Sequence, residues 1–290
     1  MLERRKRYRP ANSERASRTN GRCRRLTTIR FLLSQRIFVV MSLIATIAVA
    51  QGADEAQLDQ NVQKLIATQR AWGTRMNSAS ATLELKEISR GMSNGHTVVR
   101  YRMLTSGLPT DKFYSVILWQ LGGQPQTNLS GVTLDETGTA ICAGGPGSCG
   151  GTKPNDPIDL VMMAGLGETK RLGLVASDQT ARAFASVVPF PNRATEAGCN
   201  LEATLVTPNA EAMMLSGSGF KPGARLDVEI ISEGEKQHPA ATANENGIYE
   251  GVVLPFKKGL TKGRTQVSVR SGNCNPSVSF PWGADSYALQ

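Results

Sequence analysis

The sequence predicts a mainly β protein: two tandem antiparallel β-sandwiches preceded by a signal peptide and a short helix. Three observations carry that expectation. Short runs of alternating or β-branched apolar residues recur from Ala81 to Phe280. Turn-forming Gly, Pro, Asn and Asp residues separate these runs at intervals too short for crossover helices, which favours sandwiches over a parallel sheet. Beyond the leader, four cysteines form an even set suited to bonding in an oxidising compartment.

The leader accounts for the basic character of the chain. The formal charge is +9, yet residues 1–36 hold twelve Lys or Arg against only Glu3 and Glu14, a local balance of +10. From Gln51 onward there are 21 basic and 22 acidic residues, a near-neutral body with no Lys/Arg cluster interleaved with aromatics. Nucleic acid is therefore not an expected partner. The uncharged run from Ile37 to Ala50 follows the basic segment and ends in small residues at Ala48 and Ala50. A membrane span needs about 20 apolar residues, so this shorter run fits a secretory signal cleaved after Ala50. An uncleaved anchor is the alternative, and membrane association is expected only then. The basic segment is long for a signal, as an upstream start codon would make it.

From Ala53 to about Ala71, Leu58, Val62, Leu65, Ile66 and, past a gap, Trp72 recur at helical spacing. Asp54 and Glu55 lie in the first turn and Gly73 just past the end, so an amphipathic helix is expected, its stripe docked on the following sandwich or tethering it to the leader, with a partner-binding helix as the alternative. Strands are then expected over 81–88, 97–104, 113–121, 128–134, 138–142, 158–163, 171–176 and 183–188. The 113–121 run is apolar on both faces, which places it centrally in its sheet. Pro189 to Gly198 is expected to link the two bodies. The second is built from strands at 199–205, 240–243, 248–254, 266–270 and 277–280 together with the 215–231 stretch, a Gly/Pro turn feeding a half-buried strand.

Within the second body, Gly217-Ser-Gly-Phe-Lys-Pro-Gly223 leads into alternating Leu226, Val228 and Ile230. The segment resembles the Gly-x-Gly-Phe-x-Pro-Gly turn that opens a strand in many bacterial immunoglobulin-like domains. That resemblance implies an immunoglobulin-like β-sandwich with a non-catalytic binding or structural role, and it brings no functional residues with it. The first half echoes the second: Ser106-Gly-Leu-Pro precedes Tyr114, Val116 and Leu118, and Gly138 and Gly247 fall 31 and 28 residues after Gly107 and Gly219. Tandem copies of one fold are therefore expected, the first carrying an insertion around Cys142 to Asp159. The resulting division is 1–50 leader and signal, 51–78 helix and linker, 79–191 first sandwich and 197–290 second sandwich.

Cys23 lies in the leader, which leaves Cys142, Cys149, Cys199 and Cys274. Pairing within each body joins Cys142 to Cys149 across a flexible Gly/Pro loop and Cys199 to Cys274 across the second sandwich. In a chain-entropy treatment the long bridge is worth roughly 4 to 5 kcal/mol and the short one roughly 2.5. A zinc site on all four thiolates is disfavoured, because C-x6-C with two remote singles lacks C-x2-C knuckles.

No catalytic set stands out. His96 and His238 are the only histidines, and Ser148 lacks the first glycine of a nucleophile elbow. Asn244-Glu-Asn-Gly247 resembles part of a calcium loop, yet the first and twelfth positions would be Thr242 and Val253, which cannot supply carboxylates. A turn with Gly247 at positive φ is the better account. Asp156 and Asp159 could form a glycosidase pair, but they sit in a Pro-bounded segment where Asp and Asn commonly bond the backbone. Trp119 is expected in the core, and Trp282 and Tyr287 are expected to dock on the chain itself. The expectation is a secreted or periplasmic, non-catalytic binding or structural protein with no cofactor or metal and an unidentified protein or cell-surface partner. A secreted hydrolase or accessory module with a loop site on the first sandwich is the alternative.

Overall fold

A computed structural model describes residues 60–144, 149–284 and 286–290. The expected signal and its cleavage point, Cys23, Ser148 and residues 53–59 of the expected helix lie outside them. The described residues fall in one compact unit, mainly β and antiparallel throughout. Residues 60–71 form a helix, α1, and among the described residues no helix is long and apolar enough to cross a membrane.

Among the described residues seventeen strands follow: β1 Thr82–Ser93, β2 His96–Ser106, β3 Tyr114–Trp119, β4 Gln126–Leu134, β5 Ala140–Cys142, β6 Asp159–Met162, β7 Lys170–Ala176, β8 Arg182–Val187, β9 Asn192–Glu196, β10 Cys199–Leu205, β11 Met213–Ser218, β12 Arg225–Ser232, β13 Glu235–Gln237, β14 Ala240–Thr242, β15 Tyr249–Val253, β16 Lys262–Arg270 and β17 Ser277–Gly283. They make four sheets, ordered β1-β2-β6, β5-β4-β3-β7-β8, β15-β11-β10-β9 and β13-β12-β16-β17, with β14 also on β12.

The sheets pair around two apolar cores. Leu83, Val99, Tyr101, Met103 and Leu160 of the first sheet meet Tyr114, Val116, Val132 and Leu174 of the second. Leu201, Ala203, Met213 and Leu215 meet Leu226, Val228, Val267, Val269 and Phe280 in the other pair. The period-2 alternation behind this is plain in β12, where Leu226, Val228 and Ile230 are buried and Arg225 and Asp227 exposed. β3 is the middle strand of five, as apolar residues on both its faces require.

The expected linker is corrected. Residues 192–196 form β9, which pairs with β10 from Ala203↔Asn192 to Cys199↔Glu196. Only Asn192 is buried there, so an edge strand with one inward polar side chain carried no apolar alternation. Fully exposed β13 was invisible for the same reason.

The expected docking of the helix is corrected: the apolar stripe of α1 packs on the second sheet pair, not on the first that follows it in sequence. Val62 and Ile66 pack on Val206 and Ala212, flanked by Leu65, Met214, Val252 and Leu254. Burying Val62 and Ile66 contributes about 1.5 to 3 kcal/mol each.

Candidate functional site

The most elaborate side-chain chemistry lies where α1 meets both sheet pairs. Val62, Ile66 and Gln69 fall on one helical stripe, and all three are buried. Gln69 bridges the pairs: its Nε2 donates to the Val206 carbonyl at 3.0 Å, and its Oε1 accepts from Arg171 Nη2 at 3.0 Å. Arg171, on β7, is 6% exposed and lies 5.3 Å from the centroid of the Trp119 ring. Burial pulls its pKa down to about 10, opposed by the nearby Glu168 carboxylate, so it remains a cation at neutral pH.

Glu168 is 2% exposed. Its Oε1 accepts from Lys170 Nζ at 2.6 Å, and its Oε2 accepts from Gly165 N–H at 3.0 Å and from Tyr287 Oη at 2.7 Å. A buried carboxylate needs such a shell. Desolvation first, then the bond to Glu168, pushes the Tyr287 hydroxyl well above its ordinary range. The tail therefore docks on its own chain, as expected: Leu289 bridges Gly165, Gln290 N–H donates to Ala164 O, and the Gln290 carbonyl accepts from Thr97 N–H.

Trp72 packs at 5.4 Å from Trp119 and edge-on to Phe184 at 4.8 Å. Beside this aromatic group opens a cleft of about 580 Å³, lined by Arg70, Trp72, Arg75 and Phe184 on one side and Met214, Ser216 and Glu250 on the other. Arg70 Nη2 meets Glu250 Oε2 at 2.9 Å, with both side chains about half exposed.

The sequence candidates fall elsewhere. Cys142 and Cys149 are bonded with Cα atoms 5.6 Å apart, and Cys199 and Cys274 with theirs 5.9 Å apart. These bonds use up the thiolates of the alternative zinc site, and no cluster of three potential metal ligands occurs among the described residues. Asp159 is held by Arg102 through bonds of 3.0 and 3.3 Å. Asp156 sits in an exposed turn, where its backbone N–H bonds Lys153 O and its carbonyl accepts from Cys142 N–H. His96 opens β2 in one sheet pair. His238 lies exposed in the other, 4.0 Å from Asp227 and 3.9 Å from Glu229. Trp119 is buried, and so is Trp282, whose Nε1 donates to Ser232 Oγ at 3.1 Å.

Gln69, Glu168 and Arg171 were not singled out in the sequence. Gln69 alone left a signal, a polar residue seven positions after Val62 on the apolar stripe.

No protein-family model matches the chain, and no curated protein matches it. Among solved structures, it is similar to a tetra-tandem repeat in the extending region of a large adhesion protein, at 11% identity over 71% of this chain and 50% of that one, with a TM-score of 0.23. It is also similar to a pullulanase from Anoxybacillus sp. LM18-11, complexed with maltotriose at 8% identity and TM-score 0.19, and without it at 10% and 0.18. Each pullulanase match covers 68% of this chain and 24% of the enzyme. The chain thus spans half of the adhesion repeat and about a quarter of the pullulanase, and superposition this loose transfers no activity.

Proposed function

We propose that the chain is an exported, non-catalytic binding or structural protein whose two β-sandwiches, immunoglobulin-like in type, act as one rigid body. The observation that carries this reading is the buried Gln69 bridge to Val206 on one side and Arg171 on the other, since relative motion of the sheet pairs would strand a buried guanidinium. Export is supported by the two disulfides, which form and persist in oxidising compartments. The rival hydrolase reading loses a free carboxylate, because Asp159 is committed to Arg102. Expression with the chain's own leader tests the proposal: the protein should appear in the extracytoplasmic fraction with its mass lowered by the hydrogens of two disulfides. Recovery from the cytoplasm with free thiols, or turnover of chromogenic glycosides that vanishes in Asp159→Ala, would overturn it.

A further inference from the structure

We propose that the cleft beside Trp72 binds an acidic peptide segment, an inference that rests on reading the chain as a binding protein. Its volume of about 580 Å³ falls within the few-hundred to thousand Å³ range of ligand clefts, and it lies where two packed bodies meet, a preferred place for them. Its walls are strands and a helix end fixed by the Gln69 bridge, so little ordering is required on binding.

Charge selects the occupant. Arg75 is exposed and has no ion-pair partner among the described residues. Arg70 is held only by Glu250, and that pair is about half exposed on both sides, so an incoming carboxylate exchanges with Glu250 at little cost. Two guanidiniums against one carboxylate favour an anion, and their planar forks suit carboxylates in particular. The exposed Ser186 and Ser216 add hydroxyl donors on opposite walls.

The apolar lining distinguishes peptide from acidic sugar. Sugar rings stack on open aromatic faces, but Trp72 is committed to Trp119 and Phe184. Beside them the cleft is lined by the unbranched thioether of Met214, a surface that adapts to aliphatic side chains.

The test uses the full chain and three rhodamine-labelled probes in fluorescence anisotropy: a short peptide of alternating Leu and Glu, the same peptide with Gln for Glu, and an oligogalacturonate. The acidic peptide should bind, the Gln peptide should not, and binding should weaken as salt rises. Arg75→Glu should weaken it about tenfold, whereas Glu250→Gln, which releases Arg70, should tighten it about threefold. Opposite effects from two exposed substitutions cannot come from unfolding. The proposal fails if the acidic peptide does not bind at millimolar concentration, if the Gln peptide binds as well, if the oligogalacturonate binds better, or if the two variants leave affinity unchanged. Any of these failures leaves the export and thiol-state result untouched, so the broader reading is judged separately.

Discussion

Asp135 and Asn244 hold the same turn, one in each sheet pair. Asp135 Oδ1 accepts from the N–H groups of Thr137 and Thr139 at 2.9 and 2.8 Å. Asn244 Oδ1 accepts from those of Asn246 and Ile248 at 2.9 and 3.0 Å. The main chain repeats as well: Gly138 donates to Asp135 O and Gly247 to Asn244 O, both at 3.0 Å, while Thr105 N–H reaches Gly138 O and Phe220 N–H reaches Gly247 O. The sequence spacing had paired Gly138 with Gly247, and these bonds give that pairing a physical meaning.

The turn in the second pair should be intolerant at its glycine. Gly247 has φ +70°, and an added Cβ would lie 2.2 Å from the Phe220 carbonyl oxygen. Gly247→Ala is expected to cost about 2 to 3 kcal/mol through strain and displacement. Asn244→Ala, which strands two exposed N–H groups that water can reach, should cost only about 1 kcal/mol. Urea unfolding of both variants checks the order, and an alanine at 247 milder than one at 244 would contradict the packing.

Acid should distinguish the two turns, because only one of them titrates. The Thr137 hydroxyl foremost, opposed by burial and helped by the N–H groups of Thr139 and Thr137, holds the Asp135 carboxyl below its ordinary 3.8. A carboxyl with a depressed folded pKa stabilises the protein above its unfolded value and loses that contribution as pH falls through the folded value. Asp135→Asn keeps the acceptor without the charge. It should be slightly less stable than wild type at pH 7 and converge on wild type as pH falls from 4 to 2. A difference between the two proteins that stays constant across that range would show that Asp135 remains unprotonated or contributes nothing.

The two disulfides should differ in worth. Cys199–Cys274 spans 75 residues and Cys142–Cys149 spans 7. Loop-closure entropy assigns roughly 4 to 5 kcal/mol to the first and roughly 2.5 to the second. Paired Ser substitutions at 199 and 274 should therefore lower the urea midpoint more than those at 142 and 149, and the reverse order would place the stabilisation in native-state contacts instead.

Strands with one buried face were legible because their periodicity is written in single residues: Leu226, Val228 and Ile230 declare both the strand and its inner side. β9 and β13 were not, since edge strands bury too little to leave a pattern, and Asn192 is polar although buried. The junction was least legible of all. Lys170 and Arg171 look like a solvated pair in the sequence, yet both are buried. Their burial comes from α1 and the tail, elements about 100 residues away along the chain, and local pattern cannot report such packing. The cleft follows from that same packing, so nothing local to Arg70 or Arg75 in the sequence marks it.

Gln69 and Arg171 should therefore be thermodynamically coupled. Arg171→Met leaves the Gln69 carbonyl oxygen buried without its donor, and Gln69→Leu leaves the guanidinium with the Thr169 carbonyl at 3.5 Å and the Trp119 ring. Each single change is expected to cost about 2 to 3 kcal/mol, since one polar partner remains desolvated and unpaired. Replacing both removes the Gln69–Arg171 mismatch, because two apolar side chains of similar volume can pack together, and leaves only the Val206 carbonyl without its donor, so the double variant should be more stable than the sum of the singles allows by at least about 1 kcal/mol. Urea unfolding of the four proteins closes the cycle. Costs that add to within about 0.5 kcal/mol, as distant independent sites do, would mean that the bridge does not join the two sheet pairs in solution.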